Sequence, residues 1–375
     1  MLIPSLVGYA LLLASIFYGN AVAEAFPWLA EISVSTWVWI LLVYSFVASV
    51  LPVWLLLQPR DYLNAHQLIT GLSLLTLGLV VLRPEVVAPA FNLSPEGAPP
   101  VIPFLFITIA CGAISGFHGL VSSGTTSKQV GCMTDAKAIG YGAMLGEGSL
   151  GMLAVLASTA GFASYAEWSG HYASWGAASG LAAKLDAFVS GSATFVASLG
   201  IPMASARTFI AVMVIAFAAT SLDTGARIQR LVIGELAATY GVKPLTNRYA
   251  AGAVGIGAAL LLALTQAGGK GGLALWPLFG TTNQLVAGVT LLVDSIWLKR
   301  NGRPVVSTLV PMLLVAAATI TAMLGEVYSY FGNFGEQWLL AVMGSLVLVC
   351  DIWIVLEGLR VLVGTKRGLE WTSAT

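Results

Sequence analysis

The chain has 375 residues, 58% of them hydrophobic and 9% charged, with acidic and basic groups in equal number and a mean hydropathy of +0.88. Soluble domains carry about 25% charged residues, so this balance describes a polytopic membrane protein with the lipid bilayer as its surroundings. Zero net charge without a basic run argues against a nucleic-acid partner, and three scattered cysteines and three histidines show neither metal-ligand spacing nor a disulfide framework.

Crossing a bilayer takes about 17 to 25 apolar residues. Ten segments reach or approach that length, at 2–19, 34–57, 66–82, 103–120, 138–163, 204–222, 248–267, 276–298, 305–324 and 337–363. The expected fold is therefore all-α, a bundle of about ten transmembrane helices forming a single transmembrane domain over 1–375. No charged n-region precedes the first apolar run, which reads as a span and not as a cleaved signal. With the N-terminus inside, 13 of the 17 Lys and Arg residues fall on inner loops and ends. The positive-inside rule then places both termini in the cytoplasm.

In the second span Pro52 removes a helical hydrogen bond, which predicts a kink or break there. Arg60 and Asp61 follow at the inner face, as a gate or as an interfacial ion pair anchored by Tyr62. The loop from Arg83 to Pro103 carries six prolines and reads as a stiff strap. The next stretch, FLFITIACGAISGFHGLVSSGTTSK (104–128), passes from apolar to hydroxyl-rich. Small polar residues at membrane depth belong in protein or beside a wet cavity. The expectation is a partly unwound segment facing a cavity, with the polar end of an ordinary helix as the plainer account.

The fifth span, IGYGAMLGEGSLG onward, sets Glu147 among Gly142, Gly146, Gly148 and Gly151. Such a small-residue face lets a neighbouring helix approach closely and would bury the carboxylate. The connection 164–203 contains LAAKLDAFVSGSATFVASLG, an interfacial or packed amphipathic helix. In the sixth span Thr220, Ser221, Asp223 and Thr224 cluster at the inner face, with Arg227 placed for an i,i+4 pair. The eighth opens with WPLFGTTNQLVAG, which brings the carboxamides of Asn283 and Gln284 into the membrane.

ACGAISGFHGLVSSGTTSK, LPVWLLLQPRDYL, IGYGAMLGEGSLG, SLDTGARIQR and WPLFGTTNQLVAG together resemble the carbon starvation protein A family of membrane transporters, in matching order from Leu2 to Leu298. The resemblance implies a secondary transporter of peptides or pyruvate in the bacterial inner membrane, driven by protons. It also implies an inverted-repeat fold of the amino acid–polyamine–cation superfamily, of which this chain is the second part. The family's N-terminal spans have no counterpart here, which fits a truncated product, a miscalled start or one half of a split transporter, the last with an oligomer or a partner chain supplying them.

On this reading Ser115, Gly116, His118, Ser122, Ser123, Thr125, Thr126, Asn283 and Gln284 contact solute, and Glu147 and Asp223 carry the coupling ion. Arg60 and Asp61 act as gate or interface, and no cofactor is needed beyond a proton or sodium ion. Two other classes compete. An intramembrane hydrolase using a serine with His118 lacks a nucleophile elbow and an orienting acid. A non-transporting assembly subunit fits the missing spans.

Overall fold

The computed structural model describes residues 2–19, 24–29, 31–92, 96–98, 101–102, 107, 114–179, 181–266, 269 and 271–364. Among them the regular structure is helical and no strand occurs. The chain divides into two compact units, Met1–Ala98 with Cys132–Gly271, and Pro99–Gly131 with Gly272–Thr375. Among the described residues five helices are long and apolar enough to cross a membrane, at Leu57–Leu82, Asp135–Ala160, Met203–Thr239, Val306–Gly332 and Phe334–Gly364. Most of the expected span 103–120 lies outside the described residues.

The first unit begins with α1 (Leu2–Phe17) and α2 (Val34–Val50). Ser33 caps α2, its hydroxyl accepting the Thr36 N–H at 3.2 Å. The helix stops where Pro52 removes a donor, and turns lead into α3 (Leu57–Leu82). The expected break is present, and the third helix is a full nine residues longer at its start than the apolar run alone suggests. After α4 (Gly116–Gly124), which belongs to the second unit, come α5 (Asp135–Ala160), the short α6 (Tyr165–His171) and α7 (Trp175–Ser179), then α8 (Leu181–Ala197). α9 (Met203–Thr239) starts after Pro202 and runs 37 residues, and α10 (Arg248–Leu264) is capped by the Asn247 carboxamide on the Tyr249 N–H.

α3, α5, α8 and α9 share a core that includes Leu75, Leu153, Phe195, Ile210 and Met213. Lipid is as apolar as these side chains, so their association rests on close contact more than on escape from water. Glycines supply that contact. A Cβ at Gly78 would collide with the Phe195 carbonyl, and Gly161 and Gly191 bring the end of α5 onto α8 backbone to backbone. α8 thus packs inside this unit, with Ala193, Phe195 and Ser192 fully buried. The proline-rich strap is tied down where Val87 N–H donates to the Thr159 carbonyl at 3.0 Å.

The second unit contains α4 (Gly116–Gly124), α11 (Trp276–Arg300), α12 (Val306–Gly332) and α13 (Phe334–Gly364), the last kinked at Gln337. α11, α12 and α13 enclose Leu278, Leu285, Met323 and Leu348 at one end and Leu292 and Met312 at the other. Lys299 Nζ donates to the Leu362 carbonyl at 2.5 Å, satisfying an orphan acceptor near the end of α13.

Candidate functional site

The polar residues singled out from sequence fall into separate centres. In the first unit, the interruption between α2 and α3 leaves carbonyls that no helical N–H reaches. Arg227, from α9, donates through Nη2 to the Leu51 carbonyl at 2.6 Å and the Ala48 carbonyl at 3.2 Å. The expected Asp223–Arg227 pair is therefore replaced: Arg227 clamps the broken helix, and Asp223 pairs with Arg60 across the fold. The break itself accounts for this, since it exposes strong acceptors within reach of the guanidinium.

Asp223 is fully buried and Arg60 keeps 17% of its side chain exposed. Tyr44 ties them together, donating to Asp223 Oδ2 at 3.0 Å and accepting from Arg60 Nη1 at 3.1 Å. Asn64, one turn beyond Arg60, donates to Thr220 Oγ1, so α3 and α9 are joined by a second polar contact beside the ion pair. Arg60 Nε and Nη2, Arg227 Nε and Asp223 Oδ1 are buried without a protein partner. A buried ion pair costs several kcal/mol in lost hydration before any attraction is counted. Leaving further N–H groups unmet adds to that cost. Asp61, next to Arg60, is exposed and bears on this cluster through its charge beside the guanidinium.

Glu147 stands elsewhere. It is exposed on the N-terminal half of α5, and nothing lies within 4 Å of a Cβ built at Gly142, Gly146, Gly148 or Gly151. Among the described residues no helix packs against these four glycines. Small residues permit close approach without supplying the neighbour.

In the second unit the segment expected to unwind after Gly116 is instead the regular helix α4, which breaks at Thr125 (φ −132°, ψ −59°). Asn283 is the reason it begins where it does. Its Oδ1 accepts the Phe117 N–H at 2.8 Å and the Ser115 hydroxyl at 3.2 Å, satisfying first-turn donors that have no helical partner. Gly116 lets the backbones of α4 and α11 touch at Asn283 and Ala287. A cleft of about 380 Å³ runs beside this crossing, lined by Phe117, Leu120, Phe279, Asn283 and Val347 among others. It follows the apolar side of α4. His118, Ser122 and Ser123 are exposed, with the Ser122 and Ser123 hydroxyls turned back onto the Gly119 and Leu120 carbonyls. Thr126 is half-buried, and Thr125 is buried with no partner for its hydroxyl.

Gln284 is only 1% exposed, yet both ends of its carboxamide lack a partner. It lines a smaller cavity of about 260 Å³ with Ile107, Ile114, Pro311 and Thr319. Two carboxylates that sequence reasoning did not place in a site also belong to this unit. Glu326 accepts the Thr281 hydroxyl at 3.0 Å, and Asp351 is buried on α13 with Oδ2 unpartnered. Glu326 lay beyond the apolar run ending near 324; the signal was available in the helical pattern, which continues to Tyr330.

A helical membrane protein holding buried charge at a helix break and an unpaired carboxamide in a separate cavity has the features of a multi-pass solute transporter. The chain belongs to the carbon starvation protein CstA family, whose profile matches residues 1–170 and 170–322. It is 32% identical over 389 residues to the peptide transporter CstA of Campylobacter jejuni, covering 87% of this chain and 54% of that protein. Against the peptide transporter CstA of Bacillus subtilis it is 30% identical over 398 residues, 96% of this chain and 66% of the relative. A shorter match, 46% identical over 162 residues, links it to the pyruvate/proton symporter BtsT of Escherichia coli, with 41% of this chain and 23% of that one covered. The chain spans about half the length of the curated relatives it matches. No solved structure matches it.

Proposed function

We propose that this chain is the solute-handling part of a secondary carrier of the bacterial inner membrane, with ten spans and both termini in the cytoplasm. On this reading it takes up pyruvate, or a small peptide, together with a proton. The observation that carries the proposal is the buried Arg60–Asp223 pair under the helix break. A carboxylate solute needs a cation that is dehydrated, positioned and releasable, and a guanidinium offers a two-pronged fit. Arg60 holds Nε and Nη2 unmet, and its acidic partner is a group that can accept a proton.

The coupling then follows from charge. Protonation removes the negative charge of Asp223, and Arg60 is released to take the solute carboxylate in its place. Tyr44, in contact with both, keeps the two side chains in register through the exchange. Proton and carboxylate enter as a pair, which is symport. Asn283, Gln284 and Thr125 serve as polar contacts in the second unit, and Glu147 is assigned to the surface that meets further spans.

Uptake of labelled pyruvate and labelled dialanine into proteoliposomes under an inward proton gradient tests this. Arg60→Gln should abolish pyruvate uptake, and Asp223→Asn should keep pyruvate exchange while losing accumulation. Wild-type pyruvate kinetics in Arg60→Gln would sink the proposal. A second reading is a half that works only with partner spans, for which the glycine face of α5, meeting none of the described residues, offers a surface. Reconstitution with and without the N-terminal spans of a relative separates the two.

A further inference from the structure

A polar cavity of about 460 Å³ lies in the first unit, where α5 ends and α8 crosses it, well along α9 from Asp223. Its working side chains are Glu167, His171, Asp186, Ser190, Thr194 and Arg207. The cavity is built and held. Gly161 and Gly191 set its floor by their backbone contact. Glu167 is fixed by a reciprocal cap, its Oε2 accepting the Ala163 N–H at 2.9 Å while Ser164 accepts the Glu167 N–H. His171 is gripped between Phe162 and Tyr172, and its Nε2 is buried with no partner. Arg207 Nη2 donates to Asp186 Oδ1 at 2.5 Å and to Ser190 Oγ at 2.8 Å.

We propose that this cavity is a solute-binding site for a free α-amino acid, with the ammonium group on Asp186 and the carboxylate on Arg207. The walls present two carboxylates and one guanidinium, so a simple anion is repelled and a simple cation meets Arg207. A zwitterion satisfies both signs. Because Asp186 and Arg207 touch, the ligand's charges must also be adjacent. In an α-amino acid a single carbon separates the ammonium from the carboxylate carbon; in a peptide the terminal charges stand residues apart. Both Asp186 and Arg207 are more than half exposed, so their mutual contact is weak and is readily exchanged for ligand contacts. His171 Nε2, unpartnered, offers a hydrogen bond to whatever side chain the ligand carries, while the Ser190 hydroxyl donates to Asp186 Oδ1 at 3.0 Å and that of Thr194 to the Ser190 carbonyl at 3.1 Å, which leaves both as acceptors. Pyruvate, lacking the ammonium, is excluded, which sets this site apart from the Arg60 centre.

The test is equilibrium binding and does not depend on transport. The full chain in lipid nanodiscs is titrated calorimetrically at pH 7 with L-alanine, alaninamide, propionate and dialanine. L-alanine should bind, and the other three at least tenfold more weakly. Asp186→Asn and Arg207→Gln should each weaken alanine binding tenfold or more. As a readout that needs no variant, alanine and not alaninamide should raise the unfolding temperature of the wild-type chain. Equal binding of alaninamide or propionate overturns the zwitterion assignment, and equal or tighter binding of dialanine overturns the adjacent-charge argument. Absence of alanine binding to the folded wild-type chain overturns the site itself.

Discussion

Asp223 shows how a single buried charge governs its surroundings. Its contacts with Arg60 and Tyr44 are made out of water, so truncating one member leaves the other charged and unmatched. Arg60→Met alone should destabilise the folded chain by about 3–5 kcal/mol, and Arg60→Met with Asp223→Asn by much less. Thermal unfolding of both variants in one detergent gives the comparison; equal losses would mean that the pair is not coupled. A second residue offers a pH test. Cys132 is fully exposed, and its hydrogen bond with Thr134 at 3.0 Å lowers the thiol below its ordinary range. The thiolate is the reactive form, so maleimide labelling should reach half its maximal rate at a lower pH than a free thiol, near 8.5, would require. Thr134→Val should move that midpoint upward, and an unchanged profile would remove the hydrogen bond as its cause. Sequence identified both members of the ion pair but matched Asp223 with the wrong arginine. Local spacing favours position 227, and the true partner comes from 163 residues earlier, brought close only by the packing of α3 on α9.

Among elements, the break at Pro52 was read from sequence, while the other proline and capping boundaries emerge from the structure. Pro52 ends α2, Pro202 precedes α9, and Ser33 and Asn247 cap their helices. Each acts through its own backbone, so nearby sequence is enough to read it. Glycine is different, because it permits an approach that another element must make. Gly142 and Gly146 carry the familiar spacing and meet none of the described residues, whereas Gly78, Gly191 and Gly116 sit at real crossings. Adding one methyl separates the two groups. Gly191→Ala forces the new carbon into the Ala157 carbonyl and should cost about 1–3 kcal/mol. Gly142→Ala, in open space on a helix, should be neutral or stabilising by up to about 1 kcal/mol. Unfolding midpoints of the two variants check this, and equal effects would mean that the α5–α8 crossing is not tight. The hydroxyl-rich segment misled for a related reason. Ser122 and Ser123 satisfy themselves on their own helix, so polarity alone did not require unwinding.

For the whole molecule, composition alone established a helical membrane protein, and the order of motifs carried the family. How the polar residues group was not legible, since it depends on which helices neighbour which. The exposed face of α5 bears on assembly. If further spans cover it in the working carrier, Gly146→Leu should leave the isolated chain as stable as the wild type yet block complementation by N-terminal spans from a relative. Size-exclusion chromatography of the co-expressed pieces reads the outcome, and full complementation by the leucine variant would free that face of any role in assembly.

α9 has a mechanical consequence. Its 37 residues make a rod of about 55 Å, against a hydrocarbon layer of about 30 Å. Arg207 near one end and Asp223 further on are joined by unbroken helix, about 24 Å apart along the axis. Such a rod is a lever. A swing of about 5° pivoting at Arg207 carries Asp223 sideways by about 2 Å, a displacement comparable with the whole working range of an ion contact. A rearrangement at the polar cavity that tilted the rod would be enlarged at the buried pair, with no intervening chain of side chains needed to relay it. Spin labels at positions 207 and 223 should keep one separation with and without solute, while their distances to α3 change. A change of more than about 2 Å between the labels themselves would mean that the rod bends and the gearing is lost.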